Sequence, residues 1–348
     1  MVNRYTIINT EKNYDSTVKN LKPYTAPFWL KNRHAQTIWS QKLRRTVKVK
    51  LERERFRLPD ADFVDVDWVA GNRHQAKAIG LILPGLGGNM ESRYAPALLS
   101  SLAKRGWACG LLHFRGSSGE PNHFAHSYHA GAYGDLLQIL KVLKSRHPNI
   151  PLFAVGISLG GSILLNGLGR NKEMADLLTA AVAVSVPYVL QDAATALDSG
   201  FSRFYQRYLL NCQKRLLKEK FKRVAPPKGI RLQLLDKARN FFQFDDWFTA
   251  PLHGFKGVDE YYNACSASQY LKNISTPTLL VHAVDDPFMS IESLPAKHQL
   301  SPAIETEFTK HGGHVGFISG NWPWKLEYWL EKRIPVFLQP HLKYQRNR

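Results

Sequence analysis

The distribution of apolar residues changes character near residue 70. Between residues 46 and 69 apolar and polar residues alternate, as in DFVDVDWVA, and this period of two predicts antiparallel strands with one buried face. Further along, continuous apolar runs recur, each followed by a polar turn and a helical segment. These runs are AIGLILPG, GWACGLLHFRG, PLFAVGIS, TAAVAVSVP and PTLLVHAV. Uninterrupted apolar strands separated by helices predict an α/β fold with a mostly parallel sheet covered by helices on both faces.

The interval between Pro187 and Pro277 contains no comparable apolar run. Its segment FSRFYQRYLLNCQKRLLKEKF (201–221) has apolar side chains at helical spacing opposite a basic face, which predicts a helical insertion over the sheet, a candidate lid. The later segment WKLEYWLEKRIPVFL predicts a helix docked on the sheet. The predicted organisation is an N-terminal segment packed on the core (1–45), a first core part (46–187), a helical cap (188–273) and a second core part (274–348).

Composition supports a folded protein with a sizeable core, because 44% of the 348 residues are hydrophobic and 22% are charged. The three cysteines are far apart and form no C-x-x-C motif, which argues against disulfides and zinc and favours free thiols. The N-terminus has no long apolar stretch of the kind found in secretory signals. The run LTAAVAVSVPYVL is shorter than the roughly 20 residues of a membrane span. We therefore predict a soluble, cytoplasmic protein.

The net charge of +19 permits attraction to nucleic acid, to an anionic membrane surface or to acidic substrates. No nucleic-acid-binding module accompanies the charge, so a nucleic-acid partner is not expected. The amphipathic basic helix predicted at 201–221 leaves open peripheral membrane contact. The alternative is a lid helix whose basic face is solvated.

The strongest chemical signal is VGISLGGS, in which Gly156, Ser158 and Gly160 form a G-x-S-x-G motif. The motif lies between an apolar strand and a helical run. A sharp strand-to-helix turn exposes such a serine, and the N-terminus of the helix favours an anion nearby. This context favours a nucleophilic serine over a plain glycine turn.

A serine nucleophile requires a base and an acid, which in this fold follow in the order acid, then histidine. In KHGGHVGF, His314 lies in a glycine-rich loop after the presumed last strand, ETEFTK, and His311 is the competing candidate nearer the strand end. No third ligand accompanies the H-x-x-H spacing, so neither a metal nor another cofactor is predicted. In HAVDDPFM, Asp285 and Asp286 point to opposite sides of an extended chain, and only one of them can face the histidine.

Backbone N–H groups are expected to stabilise the oxyanion: that of Leu159, after the nucleophile, and that of Leu86 in LILPGLGGN. A plain turn or half of a phosphate loop would also fit the second stretch, but no G-K-[ST] follows and nucleotide binding is poorly supported. In HFRGSSGEP, Arg115 either braces the active-site loops or is solvated. The histidines spaced by three in NHFAHSYHAG are favoured as surface or packing residues over metal ligands; they are His123, His126 and His129.

Taken in order, these motifs resemble the YheT branch of the α/β-hydrolases, a bacterial esterase group, over nearly the whole chain. The motifs are PFWLKNRHAQTIW, PGLGGN, HFRGSSGEPN, GISLGGS, FSRFYQRYLLN, FDDWFTAPLHGF, HAVDDPFM and HGGHVGF. The resemblance implies an α/β-hydrolase fold and places the triad on Ser158, an aspartate of DDPF and His314. In related hydrolases the acid is commonly four places into a small-x-x-Asp turn before proline, which selects Asp286. Asp285 would then cap backbone N–H groups of the turn.

Residues and resemblance together predict a serine hydrolase that cleaves carboxylic esters, with medium or long acyl chains or lipids as substrates, through an acyl-enzyme. Eukaryotic relatives of this branch include phospholipase-like and acyltransferase-like enzymes. Two alternatives remain open: an acyltransferase that passes the acyl group to an alcohol, and a basic protein that binds membrane surfaces.

Overall fold

The computed structural model describes residues 21–71 and 73–342, and a central sheet organises this part of the chain. The sheet strands are Leu51–Arg57 (β1), Phe63–Val69 (β2), Ile79–Leu83 (β3), Ala108–Leu112 (β4), Leu152–Ile157 (β5), Ala180–Val184 (β6), Thr278–Ala283 (β7) and Ile304–Thr309 (β8). They lie in the order β1-β2-β4-β3-β5-β6-β7-β8. The β1–β2 and β2–β4 pairs are antiparallel, and the other five pairs are parallel. The predicted, mostly parallel sheet is confirmed.

Helices cover both faces of the sheet. They are Arg33–Ile38 (α1), Tyr94–Ala103 (α2), Gly134–Arg146 (α3), Leu159–Arg170 (α4), Lys172–Leu177 (α5), Leu190–Leu197 (α6), Ser202–Phe221 (α7), Phe241–Phe244 (α8), Ala250–Leu252 (α9), Val258–Cys265 (α10) and Leu330–His341 (α11). Successive side chains of β5 enter different cores: Phe153 and Val155 pack with α2 and α11, whereas Ala154 packs with α3 and α4. This burial on both faces explains why the parallel strands appear as continuous apolar runs.

Strand β2 differs from the predicted half-buried pattern, because its polar residues are buried as well. Asp65 is fully buried and accepts two hydrogen bonds from Arg55, at 2.8 and 3.0 Å. Asp67 accepts two from Arg53, at 2.7 and 2.9 Å. The neighbouring strand β1 therefore supplies the cations that make burial of these carboxylates tolerable.

The C-terminal helix is shorter than predicted, and ETEFTK is not the last strand of the chain. Ile318–Trp322 (β9) and Lys325–Tyr328 (β10) form a separate antiparallel pair, and α11 begins only at Leu330. Residues 325–328 alternate between exposed and partly buried positions, which is the period of a strand. Helix α11 does pack on the sheet, through Ile334, Phe337 and Leu338.

The segment between β6 and β7 contains α6 to α10 and no strand, as its lack of apolar runs indicated. Of the predicted N-terminal segment, residues 1–20 lie outside the described residues, as do residues 343–348 at the other end. Gln36 joins the remainder of the N-terminal segment to β9, because its side-chain amide donates to the carbonyl of Ile318 and accepts from the N–H of the same residue. Within the described residues, no helix has both the length and the apolar character that a membrane span requires.

Candidate active site

The turn between β5 and α4 places Ser158 in a strained conformation, with φ of 53°. Close packing leaves no room for side chains on either flank. A Cβ on Gly160 would lie 2.3 Å from the carbonyl oxygen of Leu83, and one on Gly156 would lie 2.6 Å from the carbonyl oxygen of Gly160. Glycine at both positions is therefore a condition for the turn that presents the serine hydroxyl.

Three predicted site residues come together at the carboxyl ends of β5, β7 and β8. The Nε2 atom of His314 is 3.1 Å from the Oγ atom of Ser158, and its Nδ1 atom is 2.8 Å from Oδ2 of Asp286. The competing histidine, His311, lies instead with its Nδ1 atom 3.2 Å from Oδ2 of Asp285. One unbroken hydrogen-bonded row thus joins a hydroxyl, an imidazole and a buried carboxylate.

The two adjacent carboxylates have different environments. Asp286 is 2% exposed and its Oδ1 atom accepts a hydrogen bond from the N–H of Phe288 at 2.8 Å. Burial would raise the pKa of Asp286, but the charge and the hydrogen bond of His314 outweigh it and leave the pKa below its ordinary value. Burial raises the pKa of Asp285, which is only partly offset by a hydrogen bond from the N–H of Gly313 at 2.9 Å. The side chain held as a carboxylate beside the imidazole is therefore Asp286.

Two contacts that sequence reasoning missed hold the imidazole. The backbone N–H of His314 donates to Oγ1 of Thr37 at 2.9 Å. The ring of Phe288 stacks on the imidazole with centroids 3.8 Å apart and planes 9° from parallel. Both residues lie inside motifs of the family resemblance, PFWLKNRHAQTIW and HAVDDPFM, but no spacing rule assigns them a role.

The glycine-rich loop after β3 lies directly against the serine. A Cβ on Gly85 would be 3.3 Å from Cβ of Ser158, and the loop is held by a hydrogen bond of 3.1 Å from the N–H of Gly85 to the hydroxyl of Tyr94. Across the described residues, no protein acceptor takes the backbone N–H of Leu86 or of Leu159. These two donors, predicted for the oxyanion, are therefore free to bind a substrate oxygen.

A largely apolar pocket extends from Ser158 beneath the helical insertion. The space between its walls is about 760 Å³, a figure that includes open solvent at the mouth. Helices α6, α7, α8 and α10 supply half of its lining residues. The apolar wall residues include Leu86, Leu190, Ala193, Ala194, Leu197, Leu209, Phe241, Phe244, Phe288 and Met289.

One ionisable group stands out on the pocket wall. Asp245 accepts hydrogen bonds from Oγ1 of Thr249 at 2.6 Å and from the hydroxyl of Tyr262 at 2.8 Å. Burial raises the pKa of Asp245 to about 6, although these two hydrogen bonds work in the opposite direction. Asp245 lies within FDDWFTAPLHGF, one of the motifs of the family resemblance. The spacing of the residues in this motif is not typical of any catalytic or binding site, so the sequence alone did not single out Asp245.

Arg115 braces the fold by ion pairs to separate parts of the chain. Its guanidinium donates to both oxygens of Asp135, at 2.7 and 2.6 Å, and also to Asp60 and Asp62. The alternative of a solvated arginine is therefore wrong. Of the histidines spaced by three, His129 is partly buried and lines the pocket. Among residues 21–71 and 73–342, no cluster of three or more side chains has the makings of a metal site.

Comparison with known proteins places this geometry in a family. The model of the α/β hydrolase fold family matches residues 81–321. A protein of Escherichia coli (strain K12) named "Putative esterase YheT" is 41% identical over 316 residues, which are 90% of this chain and 92% of that protein. The chain is a YheT-like α/β-hydrolase. The predicted family and fold class are thereby confirmed.

More distant similarities of this YheT-like hydrolase agree. The phospholipase ABHD3 of Mus musculus is 26% identical over 324 residues, covering 91% of the hydrolase and 78% of the phospholipase. The solved structure of an esterase from Pyrococcus furiosus matches with a TM-score of 0.51 and 16% identity, over 84% of the hydrolase and 92% of the esterase. At that identity the structural match supports the fold alone.

Proposed function

We propose that this α/β-hydrolase cleaves carboxylic esters through an acyl-enzyme formed on Ser158. The observation that carries the proposal is the hydrogen-bonded row of Ser158, His314 and Asp286, with Oγ–Nε2 and Nδ1–Oδ2 distances of 3.1 and 2.8 Å, at one end of an apolar pocket. Nucleophile, base and orienting acid are the arrangement that activates a serine hydroxyl for acyl transfer.

In the proposed reaction, Oγ of Ser158 attacks the ester carbonyl carbon while Nε2 of His314 takes the hydroxyl proton. The negative charge that develops on the carbonyl oxygen is stabilised by the N–H groups of Leu86 and Leu159. Collapse breaks the bond to the alcohol oxygen, which leaves with the proton from His314. A water molecule then attacks the acyl-enzyme, and His314 again moves the proton, which releases the acid and restores Ser158.

Asp286 has a positioning role in this scheme. Its carboxylate accepts the hydrogen bond from Nδ1, which fixes the tautomer in which Nε2 is a base. The lowered pKa of Asp286 supports this role, because the charge and the hydrogen bond of His314 outweigh the effect of burial and keep the carboxyl ionised beside the imidazole.

The apolar pocket supports a medium or long acyl group as the part of the substrate bound there. Its wall is formed mainly by aliphatic and aromatic side chains that gain from burial against an acyl chain. The name of the mouse relative, a phospholipase, is consistent with a lipid ester as substrate. The three free cysteines support a reducing, cytoplasmic location.

The test is hydrolysis of a panel of p-nitrophenyl esters, from acetate to palmitate, by wild type, Ser158→Ala and Ser162→Ala. Ser162 is a buried serine on the same helix whose hydroxyl donates to the carbonyl of Pro187, so it controls for loss of a hydroxyl in this region. We expect kcat to fall by about 10³-fold or more in Ser158→Ala. Ser162→Ala should retain most activity, and hydrolysis by Ser158→Ala at the wild-type rate would refute the proposal.

Acyl transfer to an alcohol would pass through the same acyl-enzyme and differ only in the acceptor. Product analysis with added glycerol separates the two reactions: free acid alone indicates hydrolysis, whereas a new ester in excess of acid indicates transfer.

A further inference from the structure

Within the part of the chain that the structure describes, six large aromatic side chains are more than half exposed. We call them the aromatic rim. They are Phe28, Phe201, Phe204, Tyr208, Trp322 and Trp324. Single exposed apolar residues need no explanation, but a group of them marks an interaction surface.

Contacts with α1 and the turn after it tie part of the rim to the site. The ring centroids of Phe201 and His34 are 4.5 Å apart, and the ammonium of Lys42 is 4.6 Å from the ring centroid of Tyr208. The same helix provides Thr37, which accepts the hydrogen bond from the backbone of the active-site histidine. The exposed face of α7 thus lies beside the loop that carries this histidine.

The two tryptophans of the aromatic rim are connected to the segment that precedes α1. Trp322 and Trp324 stack at the tip of the β9–β10 hairpin, with centroids 5.4 Å apart. The ring of Phe28, a few residues before α1, contacts Trp322 edge-on at 6.5 Å. The chain from Phe28 to Lys42 therefore runs between the hairpin and α7, and contacts both parts of the rim.

A row of rings leads from the rim to the catalytic imidazole. Phe201 contacts Tyr205 at 5.7 Å between centroids, Tyr205 contacts Phe288 at 5.0 Å, and Phe288 stacks on His314 at 3.8 Å. Three ring contacts thus separate an exposed apolar side chain from the residue that moves the proton.

Positive charge surrounds the rim. Residues 21–50 include eight Lys and Arg and no Asp or Glu, and residues 199–218 include five and none. The exposed cations of these stretches include Lys31, Arg33, Lys42, Arg45, Arg203 and Arg207. Within the described residues only one of these six forms an ion pair, that of Arg203 with Asp198 at 4.0 Å.

We propose that the aromatic rim inserts into the headgroup region of a bilayer that contains anionic phospholipids. Exposed Trp, Phe and Tyr among Lys and Arg are the composition of interfacial anchors, in which rings reach the acyl boundary and cations meet the lipid phosphates. A nucleic-acid duplex would satisfy the cations through its phosphates, but its bases are already stacked and would leave the phenylalanine side chains in water. Docking would bring lipid esters to the pocket entrance; this consequence alone rests on the proposed esterase function.

Flotation with vesicles of phosphatidylcholine, with and without phosphatidylglycerol, tests the proposal. We expect wild type to float with the anionic vesicles, and binding to weaken between about 0.1 and 1 M salt, as the Debye length falls from about 10 to 3 Å. The double variants Phe204→Ser/Tyr208→Ser and Trp322→Ser/Trp324→Ser should each lower partitioning about tenfold, because the anchoring apolar surface is lost. Phe124→Ser, at an exposed aromatic outside the rim, is the matched control and should float like wild type.

Binding requires no turnover, so Ser158→Ala should float like wild type, and failure of docking is distinguishable from failure of the esterase proposal. A urea-unfolding midpoint equal to that of wild type verifies that each double variant is folded, independently of any esterase activity. Three results would overturn the proposal. The first is no flotation of wild type at low salt. The second is flotation of both double variants equal to wild type, which would mean attraction by charge alone. The third is binding of an oligonucleotide equally by all variants, without flotation, which would assign the charge to nucleic acid instead.

Discussion

The adjacent carboxylates Asp285 and Asp286 allow one chemical change to be compared at neighbouring positions. In Asp286→Asn, the amide oxygen can keep the 2.8 Å hydrogen bond from the N–H of Phe288, so the loop should fold as before. The amide nitrogen then replaces the oxygen that lies 2.8 Å from Nδ1 of His314. Because this nitrogen is a donor, Nδ1 becomes the acceptor and the imidazole proton moves to Nε2, which can no longer take a proton from serine.

The magnitude follows from this change of tautomer. In triads of this kind the equivalent substitution lowers kcat by about 10⁴-fold, which is about 5.4 kcal/mol of transition-state stabilisation. In Asp285→Asn, the amide oxygen can still accept from the N–H of Gly313, and only the partly exposed ion pair with His311 is lost. Such a pair contributes about 0–1 kcal/mol, so kcat should stay within about tenfold of wild type.

The assay is steady-state hydrolysis of p-nitrophenyl butyrate at neutral pH, with unfolding by urea measured in parallel to exclude loss of folded protein. We expect a large fall in kcat for Asp286→Asn only, with both variants folded. Equal losses in the two variants, or a larger loss in Asp285→Asn, would refute the assignment of the orienting acid to Asp286.

Three further predictions concern the pocket and its surroundings. The folded pKa of Asp245 is raised from 3.8 to about 6, so wild type loses about 3 kcal/mol of stability from this group as pH rises through that range. The difference in unfolding free energy between Asp245→Asn and wild type should therefore shift in favour of the variant by about 3 kcal/mol between pH 4 and 7. Urea titrations that show the same difference at both pH values would contradict the raised pKa of Asp245. Ala194→Phe places a larger side chain on the pocket wall and so narrows the pocket. The value of kcat/KM should fall about tenfold or more for palmitate esters but little for acetate esters. Equal losses for both esters would show that acyl chains do not bind in this pocket. Arg115→Leu leaves the fully buried carboxylate of Asp62 without its cation and should cost about 3–5 kcal/mol of stability, whereas an unchanged Tm would contradict the bracing role.

The sequence predicted those features that depend on residues close together in the chain. Continuous apolar runs predicted β3 to β7 because strands covered on both faces need apolar side chains at every position. The turn around Ser158 was predictable because only glycine fits on either side of it. Spacing alone could not choose between Asp285 and Asp286, because both carboxylates end in hydrogen bonds to the histidine loop.

Other features depend on contacts that no local pattern records. Thr37 supports the histidine loop across 277 positions of the sequence, and Asp245 borders the pocket only because the helical insertion folds over the sheet. The aspartates of β2 suggested a solvated face, because their alternation does not show that arginines of β1 cover them. The extra hairpin before α11 was missed because its four-residue second strand is short enough to pass for a helical turn.

The central claim is that Ser158 is an activated nucleophile, and covalent labelling measures this directly. A fluorophosphonate probe should label wild type at a single site, which peptide mass spectrometry should map to Ser158. Asp286→Asn should label far more slowly, and Ser158→Ala should not label. Labelling of Ser158→Ala at the wild-type rate, or a modified peptide that does not contain Ser158, would contradict the account.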